Sequence, residues 1–389
     1  MSFSKRHGKV FQTMGIKYDL AYACLRPLVI LFLKLKFGYK YKIAKNLPEN
    51  YIVLSNHVTD FDPLFVASSF PQQMFFVASE HITRWGLAST LLDFFFKPII
   101  RYKATVAAST VKDVLKSTRN GKNVCLFAEG IRTWDGITWA ILPSTGKMVK
   151  KAKCGLVTYK LTGGYFVSPN WSLTSNTRRG PIYGEPVGIY TKEQLDEMSA
   201  DEINAIIVRD LKEDAYERQL KSPQKYKGKN LAEQMENFLF ICPKCGKIDT
   251  VYSKGDMVYC KECDMQFQYT EYGMLDGIEQ TTMRDLSKWQ RAEVEKTAAS
   301  GGSYFSEDGT LSIVKDQTAT LVSQGKIVLT PDSLLCGEKE IPLSQISDMG
   351  IHGRHELVFS AERTYYELRP NGTNALKFLW LYEGYKKQK

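Results

Sequence analysis

Residues 55–63 read SNHVTDFDP and directly follow the apolar run YIVL at residues 51–54. A short apolar run ending in polar residues is typical of a buried strand followed by a loop in an α/β sheet. His57 and Asp62 are five residues apart, about 140° around a regular helix, so they can meet only if the chain turns between them. Pro63 favours a helix that begins there, with Asp62 as its N-cap. A carboxylate that orients a histidine makes this pair a candidate for general-base catalysis.

A second motif, FAEGIRT at residues 127–133, follows another apolar run. Charged groups just past the carboxyl end of a strand lie where α/β sheets bind ligands. The guanidinium of Arg132 is suited to a phosphate monoester, and Glu129 could orient it. Taken singly, each motif also has a structural interpretation: an N-cap beside a polar loop histidine, and an ion pair at the end of a strand.

The pattern around these motifs alternates strand-like and helical runs. It predicts strands at residues 51–55, 74–78, 124–128, 155–160 and 166–168, with helical stretches between them, such as 104–117. This alternation predicts an α/β domain over residues 51–220, a mixed sheet with surrounding helices.

The two motifs together resemble those of the glycerolipid acyltransferase family, of which 1-acylglycerol-3-phosphate acyltransferase is typical. Asn56, His57 and Asp62 match its N-H-x4-D block, and residues 127–133 match its F-P-E-G-T-R-S block, with the same order and a similar spacing. Arg101 is located where the family has an arginine in an intermediate block. Alanine, isoleucine and threonine replace proline, threonine and serine in the second block.

The resemblance implies a mechanism and a set of site residues. His57 would be the general base that deprotonates the acceptor hydroxyl, and Asp62 would orient it. The hydroxyl would attack the thioester of acyl-ACP or acyl-CoA as co-substrate. The substrate-binding residues would be Asn56, Arg101, Glu129, Gly130 and Arg132, of which the arginines would bind the acceptor phosphate.

A cysteine cluster predicts a metal site. Cys242, Cys245, Cys260 and Cys263 form the pattern CxxC–x14–CxxC, in which four thiolates can surround one tetrahedral Zn²⁺. We expect a zinc ribbon over residues 240–270, with structural zinc because no coordination position stays open. We also expect that removal of the zinc unfolds this module and spares most of the α/β domain.

The remaining chain changes character. Residues 221–239 read as a linker with a helix, and the small residues at 298–303 read as a hinge. Over residues 304–389, seven short strand-like runs are followed by one helical run, which predicts a β-barrel or sandwich capped by a helix. This outline resembles a pleckstrin-homology-like (PH-like) domain, with an oligomerisation barrel as the alternative.

The charge distribution is uneven. The 389 residues have a net charge of +10, but residues 1–190 hold 26 Lys and Arg against 10 Asp and Glu. Residues 1–50 combine ten basic residues with an apolar helical pattern over 8–37, broken at Pro27, which predicts amphipathic helices lying in a membrane interface. No apolar run is long enough to span a membrane, and no signal peptide is evident. We expect a cytoplasmic protein, peripheral on the inner face of the cell membrane.

Three functions follow as hypotheses. The first is acyl transfer to 1-acylglycerol-3-phosphate (lysophosphatidic acid), giving phosphatidic acid, with membrane lipid and acyl carrier protein as partners. The second is the same chemistry on another lysophospholipid or a lyso-aminolipid. The third is a non-catalytic zinc-ribbon protein that binds membranes or nucleic acid. The nearly balanced charges of residues 242–263 argue against nucleic acid as a partner.

Overall fold

The computed structural model describes residues 15–79, 98–101, 108–315, 318–372 and 374–388. Its first part is an α/β domain. The strands are β1 (Tyr39–Tyr41), β2 (Tyr51–Ser55), β3 (Phe75–Ser79), β4 (Ile99–Arg101), β5 (Val124–Phe127), β6 (Gly155–Thr162) and β7 (Ile182–Tyr190). The helices are α1 (Gly15–Phe37), α2 (Asp62–Ser69), α3 (Ala108–Arg119), α4 (Ser144–Ala152), α5 (Gly164–Val167), α6 (Lys192–Glu197), α7 (Ala200–Leu211) and α8 (Ala215–Lys221).

The seven strands form one mixed sheet in the order β1-β7-β6-β2-β5-β3-β4. All neighbouring strands are parallel except β6 and β7, which are antiparallel. The central strand β2 is buried along its whole length. Its alternate residues enter two different apolar clusters, Tyr51 and Val53 on one face and Ile52 and Leu54 on the other, because successive side chains of a strand point to opposite faces.

A small antiparallel sheet contains the cysteine cluster. Its strands are β8 (Val251–Lys254), β9 (Met257–Cys260), β10 (Gln266–Tyr269) and β11 (Leu275–Asp276), in the order β11-β10-β9-β8. Strands β8 and β9 form a hairpin across Gly255. Helix α9 (Met283–Ala299) leads from this ribbon to the C-terminal unit.

The C-terminal unit consists of two antiparallel sheets and a terminal helix. The sheets have the orders β12-β15-β16-β17 and β14-β13-β20-β19-β18. The strands are β12 (Tyr304–Ser306), β13 (Gly309–Lys315), β14 (Thr318–Gln324), β15 (Ile327–Leu329), β16 (Ser333–Cys336), β17 (Lys339–Pro342), β18 (Ile346–His352), β19 (Glu356–Ala361) and β20 (Thr364–Pro370), and the helix is α10 (Leu376–Gln388). The seven predicted strands are all present, and β12 and β17 are additional.

The three units share one apolar core. The Trp171 ring meets Tyr269 of the ribbon at 5.3 Å between centroids, and Phe238 contacts Trp380 of α10 at 5.8 Å. The guanidinium of Arg291, on α9, lies 4.0 Å from the centre of the Trp380 ring and 4.9 Å from that of Trp139 in the α/β domain. The expectation that the ribbon could unfold alone is therefore revised, because its apolar side chains belong to the core of its neighbours.

Several predicted features differ from the structure. Pro27 lies inside α1, which continues through it, and residues 166–168 fall at the end of the short helix α5 instead of in a strand. Residues 221–239 are not a free linker, because Tyr226 is buried and Lys227 pairs with Arg179 in a β-bridge. Residues 1–14 lie outside the described part, and the predicted domain limits stay predictions. Within the described ranges, no helix is long and apolar enough to cross a membrane.

Candidate active site

Both predicted motifs lie at the same edge of the central sheet. Strand β2 runs parallel to β5, with Ser55 beside Phe127, so the loops that follow both strands emerge together. Strand β4 ends at Arg101 and also runs parallel within the same sheet. The carboxyl ends of parallel strands are where such sheets bind ligands.

His57 and Asp62 form a hydrogen-bonded pair. His57 Nδ1 lies 2.8 Å from Asp62 Oδ2, and the imidazole stacks on Phe127 at 4.3 Å between centroids. The fully buried Asp62 carboxylate also accepts hydrogen bonds from the Val58 amide (2.6 Å) and from the amide (2.9 Å) and hydroxyl (2.6 Å) of Thr59. The carboxylate is thus fixed in place, and the occupied Nδ1 leaves Nε2 as the nitrogen that can accept a proton.

The chain turns between His57 and Asp62, as the sequence predicts, but the helix that follows begins one residue earlier than expected. Helix α2 begins at Asp62 itself, with Phe61 as its N-cap and Pro63 in its first turn. Because Thr59 and Asp62 are hydrogen-bonded to each other, the loop folds back and brings the carboxylate to Nδ1 of His57.

Glu129 connects the two loops. Its Oε1 accepts a hydrogen bond from the backbone amide of His57, and its Oε2 accepts one from the amide of Trp139, each at 2.6 Å. Burial raises the pKa of Glu129 to about 8, although both amide hydrogen bonds oppose this by favouring the carboxylate. Glu129 therefore positions the backbone of His57.

Two arginines at this edge differ in burial and in their partners. Arg132 is buried: its Nη1 pairs with Asp60 Oδ1 at 2.8 Å, and its Nη2 donates to the Ser168 carbonyl at 2.6 Å. Arg101 is half-buried and lies against Gly130, where a built Cβ would come within 2.9 Å of its Nη1. Gly130 also has a φ of +69°, a backbone conformation that favours glycine here.

The side chain of Asn56 is hydrogen-bonded to the backbone of β6. It is buried, and its amide donates to the Leu161 carbonyl and accepts from the Leu161 amide, both at 2.8 Å. The side chain therefore extends the pairing of β6 and holds the start of the loop that contains His57. This geometry gives Asn56 a positioning role, and its substrate contact stays a prediction.

A cavity of about 380 Å³ lies at this edge. Its lining includes His57, Asp60, Arg101, Glu129, Gly130, Arg132 and Asn170 from the α/β domain, and His352, Gly353 and Arg354 from the C-terminal unit. The volume is in the range of ordinary ligand sites.

Sequence reasoning missed Asp60, Asn170 and Arg354. Asp60 offers a signal, because it is a second carboxylate inside the motif at residues 55–63. The other two offer none, because neither stands in a motif and only the tertiary packing brings them to the cavity.

The four predicted cysteines converge. Sγ of Cys242 lies 3.7 Å from Sγ of Cys263, and Sγ of Cys245 lies 3.9 Å from Sγ of Cys260. Four sulfurs at about 2.3 Å from a tetrahedral Zn²⁺ would be about 3.8 Å apart, so the spacing fits. This cluster could hold a metal ion.

Comparison with known proteins concerns the α/β domain. Residues 39–162 match the family model described as "Acyltransferase". No curated protein matches the chain. Among solved structures, the chain is similar to the 1-acyl-sn-glycerophosphate (LPA) acyltransferase PlsC of Thermotoga maritima, with 14% identity and a TM-score of 0.44 over 55% of this chain and 84% of that one. The match to the acyltransferase family thus covers the part of the α/β domain that contains His57 and Asp62.

Proposed function

We propose that this protein transfers a fatty acyl group from acyl-CoA or acyl-ACP to the free hydroxyl of 1-acylglycerol-3-phosphate, giving phosphatidic acid. The observation that carries the proposal is the hydrogen bond between His57 Nδ1 and the buried carboxylate of Asp62, at a cavity that also contains arginines. A histidine fixed in this way can activate a hydroxyl.

The chemistry follows from the pair. His57 Nε2 takes the proton of the acceptor hydroxyl as its oxygen attacks the thioester carbonyl carbon. The carbon–sulfur bond then breaks, the thiolate leaves, and the proton on His57 can pass to it. Asp62 stabilises the imidazolium that forms between these events. No covalent bond to the protein is required.

Charge supports an anionic acceptor. At the cavity, Arg101 is more accessible than Arg132, which is buried and held by Asp60. Guanidinium groups suit phosphate through their planar set of donors. Other lysophospholipids or a lyso-aminolipid are the alternative acceptors, and an acceptor panel separates them.

Helix α1 supports a membrane partner. Leu28, Leu31, Phe32 and Leu35 are between 44% and 66% exposed, although they are large and apolar. Exposed lysines, such as Lys34, accompany them, and this combination suits an interface with anionic lipid. We propose a peripheral position on the cytoplasmic face of the cell membrane.

The cysteine cluster is proposed to hold structural Zn²⁺. The four sulfurs fill a tetrahedral site and leave no position for a substrate. The ion would close the ribbon that packs between the α/β domain and α10, and it takes no part in acyl transfer.

Two experiments test these proposals. Purified protein is incubated with acyl-CoA or acyl-ACP and a panel of lysolipids, and the product is measured by mass spectrometry for wild type and His57→Ala. Absence of acyl transfer by wild-type protein with every acceptor would refute the enzymatic proposal.

Membrane binding is tested by sedimentation with phosphatidylglycerol vesicles. We expect Leu31→Asp with Leu35→Asp to weaken binding, since both side chains are exposed on α1. Leu220→Asp, on the equally exposed Leu220 of α8, is the matched control. Equal binding by all three proteins would contradict a role for α1.

A further inference from the structure

The turn between β18 and β19 reaches the cavity from the C-terminal unit. Residues 353–355 connect the two strands, and His352, Gly353 and Arg354 line the same cavity as His57. A part of the chain some 300 residues away in sequence thus forms a wall of the catalytic cavity.

Arg354 is held in place at this wall. Its Nε donates to the Asn170 carbonyl, and its Nη2 donates to Thr174 Oγ1 at 3.4 Å. Asn170 also donates to the carbonyl of Arg132 at 3.2 Å, so one residue connects the two arginines. The Arg354 side chain is only 16% exposed, which shows that its direction is set by packing.

The charge of Arg354 is only partly compensated. Its Nη2 lies 3.7 Å from Asp60 Oδ2, beyond hydrogen-bond length, whereas the other oxygen of Asp60 pairs with Arg132 at 2.8 Å. One carboxylate therefore serves two guanidinium groups. Burial, with the repulsion of Arg132, lowers the pKa of Arg354 to about 10, which still leaves it charged at neutral pH.

The cavity as a whole has an excess of positive charge. Arg101, Arg132 and Arg354 line it, against the carboxyl groups of Asp60 and Glu129, and Glu129 already accepts from two backbone amides. Cations in a partly desolvated site are costly unless an anion accompanies them. Asp60 alone pairs with Arg132 and approaches Arg354, so an anionic ligand in the cavity would compensate the remaining positive charge.

We propose that Arg354 is a specificity-determining residue of the acyltransferase cavity, which binds the phosphate group of the lysophospholipid acceptor from the C-terminal unit. This inference rests on the proposed function. It assigns to the C-terminal unit a direct part in acceptor selection.

The test compares full-length wild type with Arg354→Gln and Arg354→Lys in mixed detergent micelles. For Arg354→Gln we expect KM for 1-oleoylglycerol 3-phosphate to rise about 10- to 100-fold, because a charge-assisted hydrogen bond is lost. KM for the acyl donor and kcat should stay near wild type, and Arg354→Lys should fall between the two. Arg363→Gln removes the same charge from the exposed turn at the opposite end of β19 and should have no effect.

Acyl-CoA also contains phosphate groups, so KM is measured for the acyl donor as well as for the acceptor. A rise in donor KM without a rise in acceptor KM would overturn the assignment, as would an unchanged acceptor KM in a folded Arg354→Gln variant. Equal weakening towards uncharged 1-oleoylglycerol would show a merely structural role.

Equilibrium binding of 1-oleoylglycerol 3-phosphate separates this inference from the proposed function. If wild type binds this lipid but transfers no acyl group, and Arg354→Gln binds it at least about tenfold more weakly, the site stands while the proposed function fails. If wild type does not bind the lipid, or if the variant binds it equally well, the inference is wrong.

Discussion

Replacement of Asp62 by asparagine isolates the contribution of one carboxylate to catalysis. The side chain keeps its size, but one oxygen becomes an amide nitrogen. In the structure Oδ2 accepts from the ring of His57 and the amide of Val58, while Oδ1 accepts from the amide and the hydroxyl of Thr59. Either orientation of the new amide therefore places a donor against a backbone N–H that cannot change its role.

The magnitudes follow from these contacts. One buried backbone N–H without an acceptor costs about 1–3 kcal/mol of folding free energy, which a folded domain can tolerate. Catalysis should suffer more, because an amide nitrogen at the Oδ2 position stabilises the tautomer of His57 with its proton on Nε2. In the other orientation the neutral amide oxygen lacks the negative charge that stabilises the imidazolium. We expect kcat to fall on the order of 10³- to 10⁴-fold, equivalent to about 4–5.5 kcal/mol in the barrier.

The assay measures kcat and KM for acyl transfer, together with the urea unfolding midpoint of each variant. Asp113→Asn, the same chemical change on the exposed face of α3, is the matched control and should change neither quantity. If Asp62→Asn keeps more than about one tenth of the wild-type kcat while His57→Ala is inactive, Asp62 does not act through the imidazole and the mechanism proposed above is wrong.

Three further predictions concern the supports of the site. Glu129→Gln should cost about 1–3 kcal/mol of stability and lower kcat, because one loop amide loses its acceptor. Burial raises the pKa of Glu129 to about 8, so the ionisation of this group should weaken wild-type folding as pH rises from about 5 to 8. Urea titrations at several pH values should therefore show a flatter pH dependence of stability in the variant. Cys245→Ser should lower the zinc content below one ion per chain, as measured by atomic absorption, and should also reduce acyl transfer. Full activity without bound metal would contradict the inference that the ribbon supports the α/β domain through their shared core. Lys377→Met should destabilise the protein by about 3–5 kcal/mol in urea, because the fully buried Lys377 pairs with Asp249 of the ribbon; an unchanged midpoint would show that this pair adds no stability.

The sequence predicts that His57 and Asp62 meet because the geometry of the pair is local. The strand, the turn and the helix that bring His57 to Asp62 lie within 20 residues, and apolar runs and Pro63 mark their limits. The cysteine cluster is equally local, since two tight turns contain all four sulfurs. Arg354 was not predictable, because its place at the cavity depends on how the C-terminal unit packs.

Strand β7 was missed for a physical reason. Gly184, Pro186 and Gly188 interrupt its apolar pattern and make it resemble a loop. At Gly184 a built Cβ would come within 2.2 Å of the hydroxyls of Tyr39 and Tyr159, so the packing of the neighbouring strands requires glycine there. Gly184, which makes the strand difficult to predict, is thus the residue that allows β7 to pack between β1 and β6.

The contacts of Arg291 with Trp139 and Trp380 have a consequence for the timing of biosynthesis. The backbone amide of Trp139 donates a hydrogen bond to Glu129, which in turn accepts one from the backbone amide of His57. Trp380 belongs to α10. A ribosome that adds 5–20 residues per second needs about 7–30 s to pass from residue 240 to α10. During that interval the apolar side chains that later meet the ribbon and α10 are exposed on the nascent α/β domain, and the support behind His57 is incomplete. Acyl transfer should therefore begin only after α10 has left the ribosome.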